Sequence, residues 1–197
     1  MIRHALHTDF DFIYELYMHP LINPWLLYEP MDAQHFQPIF QELLSNQVLY
    51  VYEHNEEPVG MCKLVPEEHR SAHVMYIGGI SIHPSFAGKG FGTQLMEEIK
   101  LFADAEGYKR LELSVAAINE KAMHVYERVG FVKEGVLRRY TYQKAEDRYL
   151  DEVMMGFYIL TQQLTIISKR SLRQTSQAQR LHAPTAMLFA TILGPPI

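Results

Sequence analysis

The residues best placed to do chemistry form one short run, Gly88-Lys89-Gly90-Phe91-Gly92-Thr93, set between a β-favouring stretch and a helical one. Glycines let a backbone come close to a ligand. The first amides of a helix point outward with the positive end of its dipole behind them. Such a turn can cradle a pyrophosphate, and spacing separates the folds that use it. A Walker A loop needs Gly, four residues, then Gly-Lys-Ser/Thr; here His83 occupies the place of the earlier glycine, and Gly90 follows Lys89. A dinucleotide fingerprint needs a third glycine where Thr93 stands, close to the first strand of the fold, whereas several elements precede this loop.

A second set of residues lies downstream. Asn119 is a favoured helix cap, and Tyr126 carries a phenol whose ordinary pKa of about 10 keeps it a proton donor at neutral pH. Candidates to accept a proton are His73, Tyr76, His83, Glu112 or water, and the sequence does not choose among them. The single Cys62 has no neighbouring His or Asp pattern that would make it a nucleophile, and no metal is expected.

Ile80-Ser81-Ile82-His83-Pro84, followed by Gly88 to Thr93 and Leu95, resembles the acetyl-CoA signature of the GNAT superfamily of N-acetyltransferases. Asn119-Glu120-Lys121-Ala122 and Tyr126-Glu127-Arg128-Val129-Gly130-Phe131 are similar to the family's second motif, at the usual distance downstream. The resemblance covers roughly residues 2–160. It implies that Ile80, Ser81 and Ile82 flank the pantetheine arm and that the amides from Gly88 through Lys89, Gly90, Phe91 and Gly92 to Thr93 hold the pyrophosphate. Asn119 and Ala122 would border the arm, and Tyr126 would protonate the departing thiolate. A backbone amide near Ile82 would stabilise the oxyanion. Ala87 departs from the family, which often has Arg or Gln there, and Lys89 is the residue placed to compensate. The implied reaction is direct transfer of acetyl from acetyl-CoA to a primary amine of a small molecule or amino acid. The rivals are transfer to a protein or peptide, and a CoA-binding sensor without turnover. Residues 70–82 and 148–155 look most like the small-amine and amino-acid branch.

These residues need a scaffold, and the pattern supplies one. Ile2 to Ala5 reads as a strand, and Thr8 or Asp9 as the cap of a helix ending before Pro20. Asp32 opens a second helix carrying Phe36, Ile39, Phe40, Leu43 and Leu44. Val48 to Tyr52 and Val59 to Val65 form a hairpin; Val74 to Ile82 is a strand whose Gly78-Gly79 pair marks a bulge or a close backbone approach. A helix through Leu95, Ile99 and Phe102 ends near Gly107, and Arg110 to Ala116 alternates as a strand. Asn119 to Val129 is a helix, and Phe131 to Val136 and Val153 to Leu160 are strands. The order β-α-α-β-β-β-α-β-α-β-β predicts a mixed α/β (α+β) fold: a mostly antiparallel sheet with helices on both faces.

Composition agrees with an ordinary globular protein, 48% hydrophobic and 21% charged. All 23 acidic residues lie at or before Glu152, whereas Lys169, Arg170, Arg173 and Arg180 lie beyond Leu160. Of the 18 basic residues 14 therefore stand in residues 1–160, which carry a net charge of −9. An acidic body disfavours nucleic acid as a partner and suits a cationic amine. No secretory leader pattern opens the sequence and no stretch is long enough for a bilayer, so a reducing cytoplasm is expected; a homodimer is left open. Residues 161–197 are set apart as a basic, polar tail, a docking extension, a disordered appendage or a non-native addition.

Overall fold

The computed structural model of the protein describes residues 1–160; the basic tail, residues 161–197, lies outside them. Seven strands form one sheet: β1 (Ile2–His4), β2 (Leu49–His54), β3 (Glu57–Pro66), β4 (Val74–Ile82), β5 (Arg110–Ala116), β6 (Val132–Gln143) and β7 (Arg148–Tyr158). Their order is β1-β2-β3-β4-β5-β7-β6. Every neighbouring pair is antiparallel except β4 with β5. Four helices join them: α1 (Phe10–Met18), α2 (Ala33–Ser45), α3 (Phe91–Ala105) and α4 (Glu120–Arg128). Element order and fold class are those the sequence pattern predicts.

The period-two alternation of β2 explains why helices cover both faces. Leu49 and Val51 join Ile13, Leu16, Tyr17, Phe36 and Phe40 of α1 and α2 in one buried cluster. Tyr50 and Tyr52 point the other way, where Tyr50 meets Phe102 and Tyr52 meets Phe91 and Gln94 of α3. Asp32 caps α2 as expected, accepting the His35 amide at 2.9 Å. Asp9 does not cap α1 with its side chain. Its carboxylate accepts the Leu6 amide and two N–H groups of Arg3, 2.7 and 2.9 Å away. Burial raises its pKa, but the Arg3 and Leu6 bonds outweigh that and hold the carboxyl below its usual value.

The last hairpin is longer than its hydrophobic pattern suggests. β6 runs on to Gln143 and β7 starts at Arg148, because β6 and the first two residues of β7 are mostly exposed and show no apolar alternation to read. Two register shifts, between Lys133 and Gly135 and between Leu137 and Thr141, break the pattern further. No helix of the described residues is long and apolar enough to cross a membrane.

Sheet and core close within Met1–Ile159. A chain ending at Leu160 should therefore unfold in one cooperative transition close to that of the full chain, followed by circular dichroism. Loss of folded protein on this truncation would show that the body needs the tail.

Candidate active site

β4 and β5 start as a parallel pair and then part. Val74, Met75 and Tyr76 pair with Arg110, Leu111 and Glu112, and the ladder stops there. The Gly78-Gly79 bulge causes the departure: Lys63 of β3 faces Gly78 and Met61 faces Ser81, so Cys62 alone opposes Gly79 and Ile80. Gly79 has φ +57°, a conformation that side-chain-bearing residues rarely adopt. Beyond the bulge, Ile82 and Ser81 pair with β3 on one side only, and Leu113 to Ala116 pair only with β7. Two strand edges thus face each other across a gap, and their N–H and C=O groups need partners.

A cavity of about 440 Å³ occupies this gap. Ile80, Ser81, Ile82, Asn119, Ala122 and Tyr126, all singled out from the sequence, line it together. Ser81 is buried and its hydroxyl has no hydrogen-bond partner among the described residues. Asn119 caps α4 with Oδ1, which accepts the Ala122 amide at 3.2 Å, and its amide nitrogen bonds to no described residue. Tyr126 is 9% exposed, packs against Phe131 and makes no hydrogen bond with a described residue. Burial pushes its phenol pKa up, so it keeps its proton.

At the far end of β4 the chain makes a short turn over Pro84–Phe86, and Ala87 donates its amide to Pro84. α3 then starts behind Gly90, which has φ +83°. Among the described residues no acceptor meets the amides of Gly88, Lys89, Gly90, Phe91, Gly92 or Thr93. A Cβ on Gly88 or Gly90 would stand in open space. The glycines are therefore required by their left-handed backbone, not by crowding. The Phe91 ring anchors the turn against Tyr52, His54 and Phe86, and Lys89 Nζ lies 5.1 Å from the centre of the Phe86 ring. Ala87 brings no side-chain donor, so Lys89 is the cation on this loop.

Of the four side chains considered as bases, three lie away from the cavity. His73 is exposed ahead of β4. His83 is engaged outside the gap, 3.0 Å from Glu15 Oε1 and 2.7 Å from Ser85 Oγ. Glu112 sits where the strands are still paired and binds Arg110 at 3.0 Å. Tyr76 does line the cavity, with its hydroxyl 3.0 Å from Ser114 Oγ; burial raises its pKa and the Ser114 bond partly offsets that.

Two charged residues in the cavity were not singled out from the sequence. The Glu152 carboxylate accepts from the hydroxyls of Ser114 and Thr141. Lys63 lines the wall formed by β3. Lys63 interrupts an apolar run between Cys62 and Leu64, and Glu152 adjoins the apolar run that starts at Val153. That local anomaly was the available signal. The structure thus joins a row of unclaimed amides to an opened sheet edge with an unpartnered hydroxyl. It suits a ligand with phosphates at one end and amides along its length, which is the constitution of CoA.

The acetyltransferase (GNAT) family matches residues 10–131. An L-amino acid N-acetyltransferase of Escherichia coli K12 is 28% identical over 161 residues, 79% of this chain and 96% of its own length. An uncharacterized N-acetyltransferase of Methanocaldococcus jannaschii is 27% identical across 70% of this chain, which spans only 62% of that relative. The spermidine N-acetyltransferase of Vibrio cholerae, solved with CoA and spermine, shares the fold at TM-score 0.70 and 24% identity, over 80% of this chain and 94% of its own. With the family match running from α1 to the turn before β6, and both motifs meeting in one cleft, the chain belongs to the acetyltransferase (GNAT) family.

Proposed function

We propose that the protein transfers acetyl from acetyl-CoA to the primary amine of a small molecule or amino acid by direct attack. The observation that carries this reading is the alignment of the opened β4–β5 gap with the free amides of α3. The E. coli relative, named for L-amino acids, and the V. cholerae neighbour, solved with CoA and spermine, support an amine acceptor.

Acetyl-CoA supplies the activated acyl group as a thioester. The chain's own residues do the rest. Amides from Gly88 to Thr93, with Lys89, hold the pyrophosphate at the positive end of α3. The free edge of Ile80 to Ile82, the Ser81 hydroxyl and the Asn119 amide nitrogen bind the pantetheine arm. A backbone amide at this edge stabilises the oxyanion of acyl transfer. Tyr126, protonated by virtue of its burial, donates to the departing sulfur.

The incoming amine arrives as an ammonium and must lose a proton before it attacks. Glu152 is the ionisable acid in the cavity, and Ser114 links it to Tyr76. We assign the ammonium and its proton to this chain of groups, Glu152 acting directly or through a water. Cys62 takes no part: it is fully buried, and burial pushes its thiol pKa up, away from the thiolate that an acyl-cysteine route needs.

Tyr126→Phe keeps the ring and removes only the hydroxyl. kcat should fall about 10²- to 10⁴-fold while the acetyl-CoA Kd changes little, read by CoA release and calorimetry. An unchanged kcat would return Tyr126 to packing alone. Gly90→Val puts a β-branched residue at φ +83° and should weaken CoA binding in the same calorimeter, without loss of the folded signal. Equal CoA affinity in that variant would remove the loop from the site.

A further inference from the structure

The acceptor side of the cleft holds a cation that the transfer chemistry leaves unused. Lys63 stands in the middle of β3, opposite Gly78, and lines the cavity. Burial pulls its ammonium pKa below the ordinary lysine value, and among the described residues it forms no salt bridge. Its Nζ lies 5.4 Å from the centre of the Tyr28 ring. A partly desolvated cation without a counter-ion is costly, and a negatively charged ligand would relieve the cost.

A second, independent observation points to the same place. Tyr17 is 1% exposed, and its hydroxyl has no hydrogen-bond partner among the described residues. Buried donors are rarely left so. The two residues meet at Gly79: a Cβ there would lie 3.1 Å from Tyr17 Oη and 3.5 Å from both Cγ and Cε of Lys63. The Tyr17 and Tyr28 rings pack 5.3 Å apart beneath this step, outside the cavity lining. Two donors without acceptors therefore border the point where the glycine bulge leaves out a side chain.

The opposite wall has the opposite charge. Glu152 on β7 is three strand spacings of about 4.8 Å from β3, before the extra opening between β4 and β5 is added. Lys63 and Glu152 form no salt bridge with each other, and both line the cavity. A cavity with a cation on one wall and a carboxylate on the other is complementary to a zwitterion.

We propose that Lys63, beside the Gly78-Gly79 step, forms a carboxylate subsite, so that the acceptor is an amino acid whose ammonium faces Glu152. A polyamine would set a second ammonium against Lys63 and is selected against by like charge. The word acceptor rests on the acetyl-transfer reading; the subsite itself does not.

The test uses the full chain and matched pairs of the common L-amino acids and their C-terminal amides, with spermidine as a third probe. Binding is read by thermal shift in the presence of CoA, and transfer by CoA release from acetyl-CoA. At least one amino acid should bind more than 10-fold tighter than its amide and than spermidine. Lys63→Met, which keeps an unbranched apolar stem and removes the charge, should bring the acid-to-amide ratio close to one. Lys63→Arg should restore part of it. The melting temperature of each variant without ligand reports whether it has folded. Lys63-dependent binding of amino acids without CoA release would uphold the subsite and sink the transfer reading. Transfer to amides or spermidine as efficient as to amino acids, a Lys63→Met effect equal on acid and amide, or no binding by any amino acid would overturn the subsite.

Discussion

The fold depends on an interruption: the parallel ladder between β4 and β5 ends after three residue pairs. Backbone N–H and C=O groups bond wherever they can, so two strands that share a sheet do not part without cause. Here the cause is the Gly78-Gly79 bulge, which adds one residue to β4 against β3 and turns the strand away from β5. Neither strand is left unsupported, since β3 holds one and β7 the other. The rest of the sheet keeps the gap open, and the gap exposes the donors and acceptors that an extended amide-bearing ligand needs. The same departure carries the end of β4 towards the start of α3, where the free amides stand.

Charge divides the cleft into regions with separate tasks. At α3 the helix dipole and Lys89 set positive charge beside the free amides. Around Tyr126 the wall is apolar enough to keep the phenol protonated. On the cavity walls, Glu152 and Lys63 stand on different strands and, among the described residues, neither forms a salt bridge. Had the two been adjacent, they would have formed a closed ion pair with little left for a ligand. Their separation follows from the strand order, in which β4 and β5 lie between β3 and β7.

Local signals made much of this legible in the sequence. The glycine-rich turn is a run of six residues, and the cap at Asn119 and the phenol at Tyr126 lie seven apart along one helix, so composition and spacing single them out. The glycine pair was readable as a bulge because only a special backbone accounts for it within a strand. What escaped depends on register. His73 and Tyr76 are close in sequence, yet only Tyr76 reaches the gap: it is the last residue of the ladder with β5 and its hydroxyl extends to Ser114, whereas His73 precedes β4. Glu112 and Ser114 share a face of β5, but only Ser114 lies beyond the point of departure. Glu152 and Lys63 come from strands far apart in the chain, and no spacing rule links them. The extent of β6 was hidden for the opposite reason: an exposed edge strand has no buried face to impose a pattern.

Hydrogen exchange read by mass spectrometry, with and without acetyl-CoA, most directly tests whether the opened edge and the α3 amides form one ligand site. Peptides covering residues 80–93 should exchange more slowly when acetyl-CoA is bound, as should those at the start of α4, while the β1–β2 edge should be unaffected. Slowing confined to other segments, such as the exposed outer surface of α4 around Lys121 and Glu127, with residues 80–93 unchanged, would contradict it.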